Sequence, residues 1–244
     1  MAPLSAHIFL PGLHIAYVSA LLPLHANMQR ICSRSLAETW PDKRPVACHK
    51  THITLQPLGR QRLRPRAMIP PLSQFKDIHT HGRTAADIVT SVEPDDELGG
   101  EYGTAWYSVG IHPWSTTEQI RPETIERLNT LAEDKRVVAI GEAGFDKNRG
   151  GSTEYQTEIF LLHVKLAETT GKPLIIHCVG RYGQLLELHR QLKPSRPWII
   201  HGFSGKPELA RQLVNEGFYF SLKSDAPARQ YGIIPAERLF TETD

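Results

Sequence analysis

The sequence predicts an α/β protein, an abbreviated (β/α)8 TIM-like barrel preceded by a disordered N-terminal extension. From residue 75 onward, short runs that are apolar on both faces alternate with helical patterns of about 10 to 18 residues. Such alternation is typical of a parallel sheet built from right-handed βα units. Seven or eight of these runs occur in one domain-sized segment, which indicates a barrel. Residues 1–67 lack this regularity and hold many prolines and arginines.

The predicted elements follow one another closely along the chain. The strands are placed at residues 75–82, 86–92, 105–112, 137–144, 173–178, 198–203 and 218–222, and residues 239–244 close the chain. The helices are placed at residues 117–134, 153–170, 184–192 and 206–216. Gly171 and Gly217 supply the stops of two of these helices. The first two connections are too short for full helices, so the barrel is expected to be abbreviated near its start.

The composition is that of an ordinary globular protein, with 40% hydrophobic and 22% charged residues among 244. No apolar run approaches the roughly 18 residues that a membrane span needs, so no membrane partner is expected. The three cysteines, Cys32, Cys48 and Cys178, are too few and too scattered for a disulfide framework. That pattern suits a reducing compartment, and we expect a cytoplasmic protein.

The extension at residues 1–67 carries nine basic and two acidic side chains, whereas the remainder carries 19 basic and 24 acidic ones. The basicity therefore belongs to the extension and does not indicate nucleic-acid binding by the barrel domain. Three interpretations are open: a targeting peptide, a nucleic-acid-binding arm at residues 60–66, or translated upstream sequence before a natural start at Met68. We favour the third. A metal site at Cys48, His49 and His52 is disfavoured, because no second ligand pair lies nearby.

Polar side chains close nearly every predicted strand of the segment 68–244. His79 and His81 alternate with apolar neighbours, so both side chains emerge on one strand face. The other strand-closing residues are His112, Glu142, His177, His201 and Asp244. Because barrel strands converge at their carboxyl ends, these side chains should share one pocket. Buried imidazoles and carboxylates are costly unless they are paired or coordinated, and a metal centre satisfies them together. Two ions about 3.5 to 4 Å apart, bridged by a carboxylate, would use the whole set.

Six motifs in this order, IHTH, SVGIHPW, AIGEAGFD, PLIIHC, IIHGFSG and TETD, carry a resemblance to a known family. Residues 75–244 resemble the TatD family of metal-dependent deoxyribonucleases, more particularly a shortened TatD-like branch. The resemblance implies that His79, His81 and Asp244 bind one ion and that His177 and His201 bind the other. It implies Glu142 as the bridging ligand. His112 would contact the scissile phosphate or position water, so Glu142 and His112 are the expected catalytic residues.

The same resemblance implies two divalent ions, Mg²⁺ first and Mn²⁺ or Zn²⁺ as alternatives, and single-stranded or frayed DNA as substrate. Arg181 and Lys206 follow the His177 and His201 strands, and we expect them to grip backbone phosphates. Cys178 should point away from the pocket and pack in the core. A monomer is the expected oligomeric state. Two alternatives stay open: a metallo-amidohydrolase acting on a small amide or ester, and an inactive truncated scaffold.

The segment departs from the family pattern at two places. The stretch between His81 and His112 is short, so the substrate wall there should be reduced. The chain stops at Asp244, where family members continue, so we expect a barrel that lacks its final helices.

Overall fold

The computed structural model describes residues 70–227 and 232–244. The expected disordered extension at residues 1–67, with its Cys48, His49 and His52 cluster, lies outside the described residues, as does Met68. The domain boundary at residue 68 stays a prediction. Among the described residues no helix is both long enough and apolar enough to cross a bilayer.

Eight parallel strands form one sheet in which the spatial order equals the chain order, which confirms the predicted TIM-like barrel. Beyond the eighth strand, the backbone N–H of Thr243 donates to the carbonyl oxygen of His79 in the first strand at 3.4 Å, so the barrel is nearly closed. The strands are β1 (Asp77–Thr80), β2 (Ile88–Val92), β3 (Trp106–Val109), β4 (Val137–Asp146), β5 (Leu174–Val179), β6 (Trp198–His201), β7 (Tyr219–Leu222) and β8 (Leu239–Thr241).

Four α-helices cover the connections that follow β3, β4, β5 and β6: α1 (Pro122–Ala132), α2 (Thr153–Thr170), α3 (Tyr182–Leu192) and α4 (Pro207–Asn215). Short 3₁₀ turns occupy Leu72–Gln74, Pro113–Thr117 and Ala236–Arg238. Helix α2 is well defined by its ends, because the Ser152 hydroxyl accepts from the N–H of Tyr155 at 3.2 Å and Gly171 takes a left-handed φ of 71°. No helix follows β1 or β2 among the described residues, as the short connections predicted.

The helix predicted at residues 117–134 is shorter than expected. It begins only at Pro122, and the preceding 3₁₀ turn ends at Thr117. The physical reason is Pro122, which fits the first position of a helix and keeps Arg121 before it extended, with ψ at 145°. Strand β4 is longer than predicted and runs two residues past Gly144 to Asp146.

The core lies between the strands and the covering helices. Phe160 of α2 is fully buried and packs its ring against Phe145 of β4 (4.9 Å between centroids) and Trp198 of β6 (5.1 Å). Burial of each such ring contributes about 1.5–3 kcal/mol. Because all eight strands run parallel, their carboxyl ends meet at one end of the barrel.

Candidate metal centre

The histidine pair of β1 stands at the carboxyl end of the barrel. His79 is fully buried, whereas the side chain of His81, just beyond the strand, is 57% exposed. The buried Asp77 accepts a hydrogen bond from the backbone N–H of His79 at 3.1 Å, which fixes the strand at this point. The two rings meet edge to face at 5.2 Å. Both imidazoles therefore face one site, as strand alternation predicted.

Glu142 of β4 lies at the centre of the site, and its two carboxylate oxygens contact different imidazoles. Oε1 lies near three ring nitrogens: His201 Nε2 at 2.6 Å, His177 Nδ1 at 2.7 Å and His112 Nε2 at 3.1 Å. Oε2 lies near two others: His79 Nε2 at 3.3 Å and His81 Nε2 at 3.5 Å. The carboxylate thus separates the imidazoles into two groups, one on each oxygen.

Asp244 joins the group on the Oε2 side. Its Oδ1 lies 3.3 Å from His81 Nε2 and 3.8 Å from His79 Nε2. Its Oδ2 is 4.0 Å from His201 Nδ1. The structure therefore brings together all seven strand-closing residues that the sequence singled out.

The charges in the site are strongly coupled. Burial raises the pKa of Glu142, but the charge of His201 and hydrogen bonds from His112, His177 and His201 outweigh it and hold this pKa well below its usual range. The pKa of His81 is raised, chiefly by its hydrogen bond to Glu142. Burial lowers the pKa of His177, yet contacts with Glu142 and Asp146 raise it above its ordinary value. Glu142 is therefore an anion at neutral pH.

The donor set fits divalent metal ions. Both ring nitrogens of His79 and Nδ1 of His201 are buried without a hydrogen-bond partner among the described residues, although His79 Nε2 lies 3.3 Å from Glu142. Such burial is costly for an imidazole unless a metal ion takes its one free lone pair. Three overlapping groups each offer ligand atoms within 4.8 Å of one another: His79, His81 and Glu142; His79, His201 and Asp244; His112, Glu142 and His177. Imidazole nitrogen and carboxylate oxygen are ligands that Zn²⁺ and Mn²⁺ accept, and carboxylates suit Mg²⁺.

The site opens into a cavity of about 480 Å³ at the end of the barrel. His81, His112, Trp114 and Asp244 are among the residues that line it. A second cavity of about 410 Å³ adjoins it, since His177, His201 and Asp244 line both. There is room beside the candidate ligands for a substrate of nucleotide size.

A family described as TatD related DNase has a sequence model that matches residues 75–244. The chain belongs to the TatD family. It is 32% identical over 168 residues to a protein of Cronobacter turicensis named 3'-5' ssDNA/RNA exonuclease TatD, a match that covers 64% of each chain. It is 30% identical over 158 residues to the protein of the same name from Escherichia coli K12, covering 61% of this chain and 60% of that one. The match thus spans less than two thirds of these relatives.

Solved structures support the TatD fold. A TatD-family hydrolase from Entamoeba histolytica superposes with a TM-score of 0.53 at 22% identity, covering 70% of this chain and 73% of that one. A TatD homologue from Escherichia coli K12 gives a TM-score of 0.50, also at 22% identity, over 64% and 66% of the two chains. At this identity the likeness concerns the fold.

Among the remaining predicted residues of the TatD-like barrel, Arg181 precedes α3 and Lys206 precedes α4. Neither residue lines either of the two cavities. A different basic residue, Lys223, lines the second cavity. Their contact with phosphates stays a prediction. Cys178 is buried, and burial raises the pKa of its thiol to about 12, so it is a protonated, packed side chain at neutral pH.

The structure adds Asp146, which the sequence analysis did not select. Asp146 is buried at the end of β4 and accepts hydrogen bonds from the indole N–H of Trp114 at 2.7 Å and the backbone N–H of Asn148 at 2.8 Å. It lies 3.3 Å from His177 Nε2. Burial raises the pKa of Asp146, but these hydrogen bonds and the contact with His177 outweigh burial. The pKa of Asp146 therefore lies below its usual value. The AIGEAGFD motif contains Asp146 four positions after Glu142. Because side chains of a strand alternate between its faces, this even spacing could have placed Asp146 on the same face as Glu142.

Glu242 also escaped the sequence analysis, although it stands two residues before Asp244. It is buried, and its Oε1 accepts from the N–H of Gly202 at 2.9 Å. Its Oε2 lies 3.9 Å from His201 Nδ1. Burial raises the pKa of Glu242 to about 7. This carboxyl group borders the site just beyond the end of β8, and neither its Oε2 nor Nδ1 of His201 has a hydrogen-bond partner in the described part of the chain.

Proposed function

We propose that this chain is a metal-dependent hydrolase of the TatD type that cleaves phosphodiester bonds of single-stranded DNA with two divalent ions. The observation that carries the proposal is the position of Glu142, whose two oxygens contact separate groups of imidazoles. A carboxylate in this position suits a bridge between two ions. The names of the relatives, which are called ssDNA/RNA exonucleases, favour a single-stranded nucleic acid as substrate.

The proposed ligands follow the two sides of Glu142. His79, His81 and Asp244 would hold one ion, and His177 and His201 would hold the other. When bound, the two ions supply activation of a water molecule and neutralisation of charge on the phosphoryl oxygens. We propose Mg²⁺ as the natural ion, with Mn²⁺ and Zn²⁺ as alternatives that a histidine-rich site accepts.

His112 has a different proposed role from the metal ligands. Its Nδ1 accepts from the backbone N–H of Trp114 at 3.2 Å, so the proton of the neutral ring lies on Nε2. That Nε2 points to Oε1 of Glu142 at 3.1 Å, inside the cavity. His112 could turn this single N–H from Glu142 toward a phosphate oxygen or a water molecule in the cavity. Arg181 and Lys206 are proposed to attract the more distant phosphates.

The experiment incubates 5'-labelled single-stranded DNA with the purified chain and Mg²⁺ or Mn²⁺. We expect the wild type to shorten the strand, and we expect Glu142→Gln and His79→Ala to lower the rate by at least about 100-fold, more than the loss of an outer-sphere partner costs. Glu208→Gln is the matched control, because Glu208 is an exposed carboxylate of α4 beside Arg211. Elemental analysis should find two ions per wild-type chain.

The outcomes separate the proposal from its alternatives. No shortening by a metal-loaded wild type, together with hydrolysis of a small ester or amide, would replace the nuclease by an amidohydrolase. A folded wild-type chain without stoichiometric metal would identify an inactive scaffold.

A further inference from the structure

Trp114 is an exposed aromatic side chain in the wall of the metal-site cavity. Among the described residues, the exposed large apolar side chains are Tyr102 (45%) and Trp114 (43%). Trp114 lines the cavity that contains Glu142, whereas Tyr102 borders a separate surface depression. An indole ring that stays partly open to water inside a cavity offers an apolar face that a ligand can cover.

The Trp114 ring is held rigidly. Its indole N–H donates to Asp146 at 2.7 Å, and its backbone N–H donates to His112 Nδ1 at 3.2 Å. The guanidinium group of Arg149 lies 4.1 Å from the ring centroid. The 3₁₀ turn that carries Trp114 is tied to the loop of Arg149, because the N–H of Gly151 donates to the hydroxyl of Thr116 at 2.9 Å. The ring and the guanidinium therefore form a preorganised pair.

The Trp114 ring of this pair lies directly beside the proposed reaction centre. The Trp114 ring centroid is 4.8 Å from that of His112 and 6.0 Å from that of His177. A carboxylate also stands nearby, since the hydroxyl of Ser115 donates to Glu93 at 2.6 Å and Glu93 lines the same cavity. A carboxylate repels phosphates but not a neutral base. The surface is therefore suited to the base of a nucleotide whose phosphate lies at the metal ligands.

We propose that Trp114 and Arg149 form a stacking platform for the nucleobase adjacent to the scissile phosphate. This inference rests on the proposed function for the location of the phosphate. Every base has a π-face, so a platform of this kind recognises single-stranded nucleic acid with little dependence on sequence. A paired base is stacked within its duplex and cannot reach the ring, so the platform selects single strands.

The test measures binding without cleavage. A 5'-labelled oligothymidylate and the same strand with abasic sites at its three 3'-terminal positions are titrated with protein in EDTA, and fluorescence anisotropy gives the two Kd values. We expect the wild type to bind the base-bearing strand about 10-fold more tightly, within the range of base–aromatic stacking. Trp114→Leu should abolish this preference, and Trp114→Phe should keep part of it. Tyr102→Leu is the matched control, because Lys135 covers the Tyr102 ring at 4.7 Å as Arg149 covers Trp114.

Absence of any base preference in the wild type, whether both strands bind equally or neither binds, would overturn the platform, as would an unchanged preference in Trp114→Leu. Circular dichroism of each variant checks the fold, and Trp114→Phe carries the test if the leucine variant does not fold. Cleavage is measured separately with the metal-loaded wild type. Base preference without cleavage keeps the platform and removes the nuclease proposal, and cleavage without base preference does the reverse.

Discussion

Lowering the pH from 6.5 to 4 should destabilise the fold through one side chain, His163 of α2. His163 is fully buried; its Nδ1 donates to the carbonyl oxygen of Ile159 at 2.8 Å, and its Nε2 accepts from the backbone N–H of Ile111 at 2.9 Å. Ile111 immediately precedes His112, so this contact anchors the backbone that carries a proposed catalytic residue. Burial lowers the pKa of His163 from 6.5 to about 4.

The size and sign of the effect follow from proton linkage. Below pH 6.5 the unfolded chain binds a proton at this histidine, whereas the native chain stays neutral until about pH 4. Protons therefore favour the unfolded state within this window. A difference of two to three pKa units between the unfolded and native states corresponds to about 3 kcal/mol. The free energy of unfolding falls by this amount between pH 6.5 and 4, and the loss stays constant below pH 4.

Urea unfolding in EDTA at several pH values between 7 and 4.5 measures this effect in the wild type, His163→Gln and His163→Leu. In both variants the free energy of unfolding should lose the part of its pH dependence that comes from His163. Their stability relative to the wild type should therefore rise as the pH falls. At pH 7, His163→Leu should cost about 1–3 kcal/mol because the N–H of Ile111 loses its acceptor, whereas glutamine retains one. His189→Gln is the control, since His189 is a helix histidine that is only partly buried. A stability difference between wild type and His163→Leu that does not change with pH would refute the reasoning.

Two further predictions concern metal and helix α1. Chelation of the bound ions should lower the unfolding midpoint of the wild type by several degrees and leave that of Glu142→Gln nearly unchanged, which differential scanning calorimetry can measure with and without EDTA. Lys172→Met should cost about 1–3 kcal/mol in urea unfolding, because the buried Lys172 ammonium donates to the carbonyl oxygens of Ala132 at 2.5 Å and Asp134 at 3.2 Å at the end of α1. An unchanged thermal midpoint of the wild type in EDTA would contradict metal binding by the folded chain. An unchanged urea midpoint in Lys172→Met would contradict a stabilising role for the Lys172 hydrogen bonds.

The sequence was sufficient to predict which polar side chains meet at the carboxyl end of the barrel, although Glu142 lies inside β4 and His112 lies beyond β3 instead of at the strand ends expected for them. A run of apolar residues on both faces indicates a buried parallel strand, and a polar residue at its end must then lie at the barrel rim. That reasoning brought His79, Glu142 and His201 to one site although they are distant in the chain. It depends only on strand direction, so it holds although the predicted start of α1 was five residues early and the predicted end of β4 two residues early.

The contacts that orient these residues were not predictable in the same way. His163 lies in the middle of an amphipathic helix, and no periodicity distinguishes a histidine that hydrogen-bonds Ile111 from one that merely packs. Trp114 follows a strand end and reads as an ordinary apolar residue of a turn. Its exposure depends on how the loop of Arg149 folds against it, which is a tertiary property. The start of α1 was mistaken because the apolar stripe reaches back to Ile120, whereas the backbone is limited by Pro122.

Asp146 connects the site's interior with its rim through the two nitrogens of a single imidazole. His177 presents Nδ1 to Glu142 at 2.7 Å and Nε2 to Asp146 at 3.3 Å. Without a metal ion Nδ1 donates to Glu142; with an ion bound, an Nε2–H that donates to Asp146 would leave the Nδ1 lone pair free for the ion, which is the tautomer that a metal ligand requires. The same Oδ2 of Asp146 accepts from the indole of Trp114. One buried carboxylate thus contacts both a proposed metal ligand and the proposed base platform.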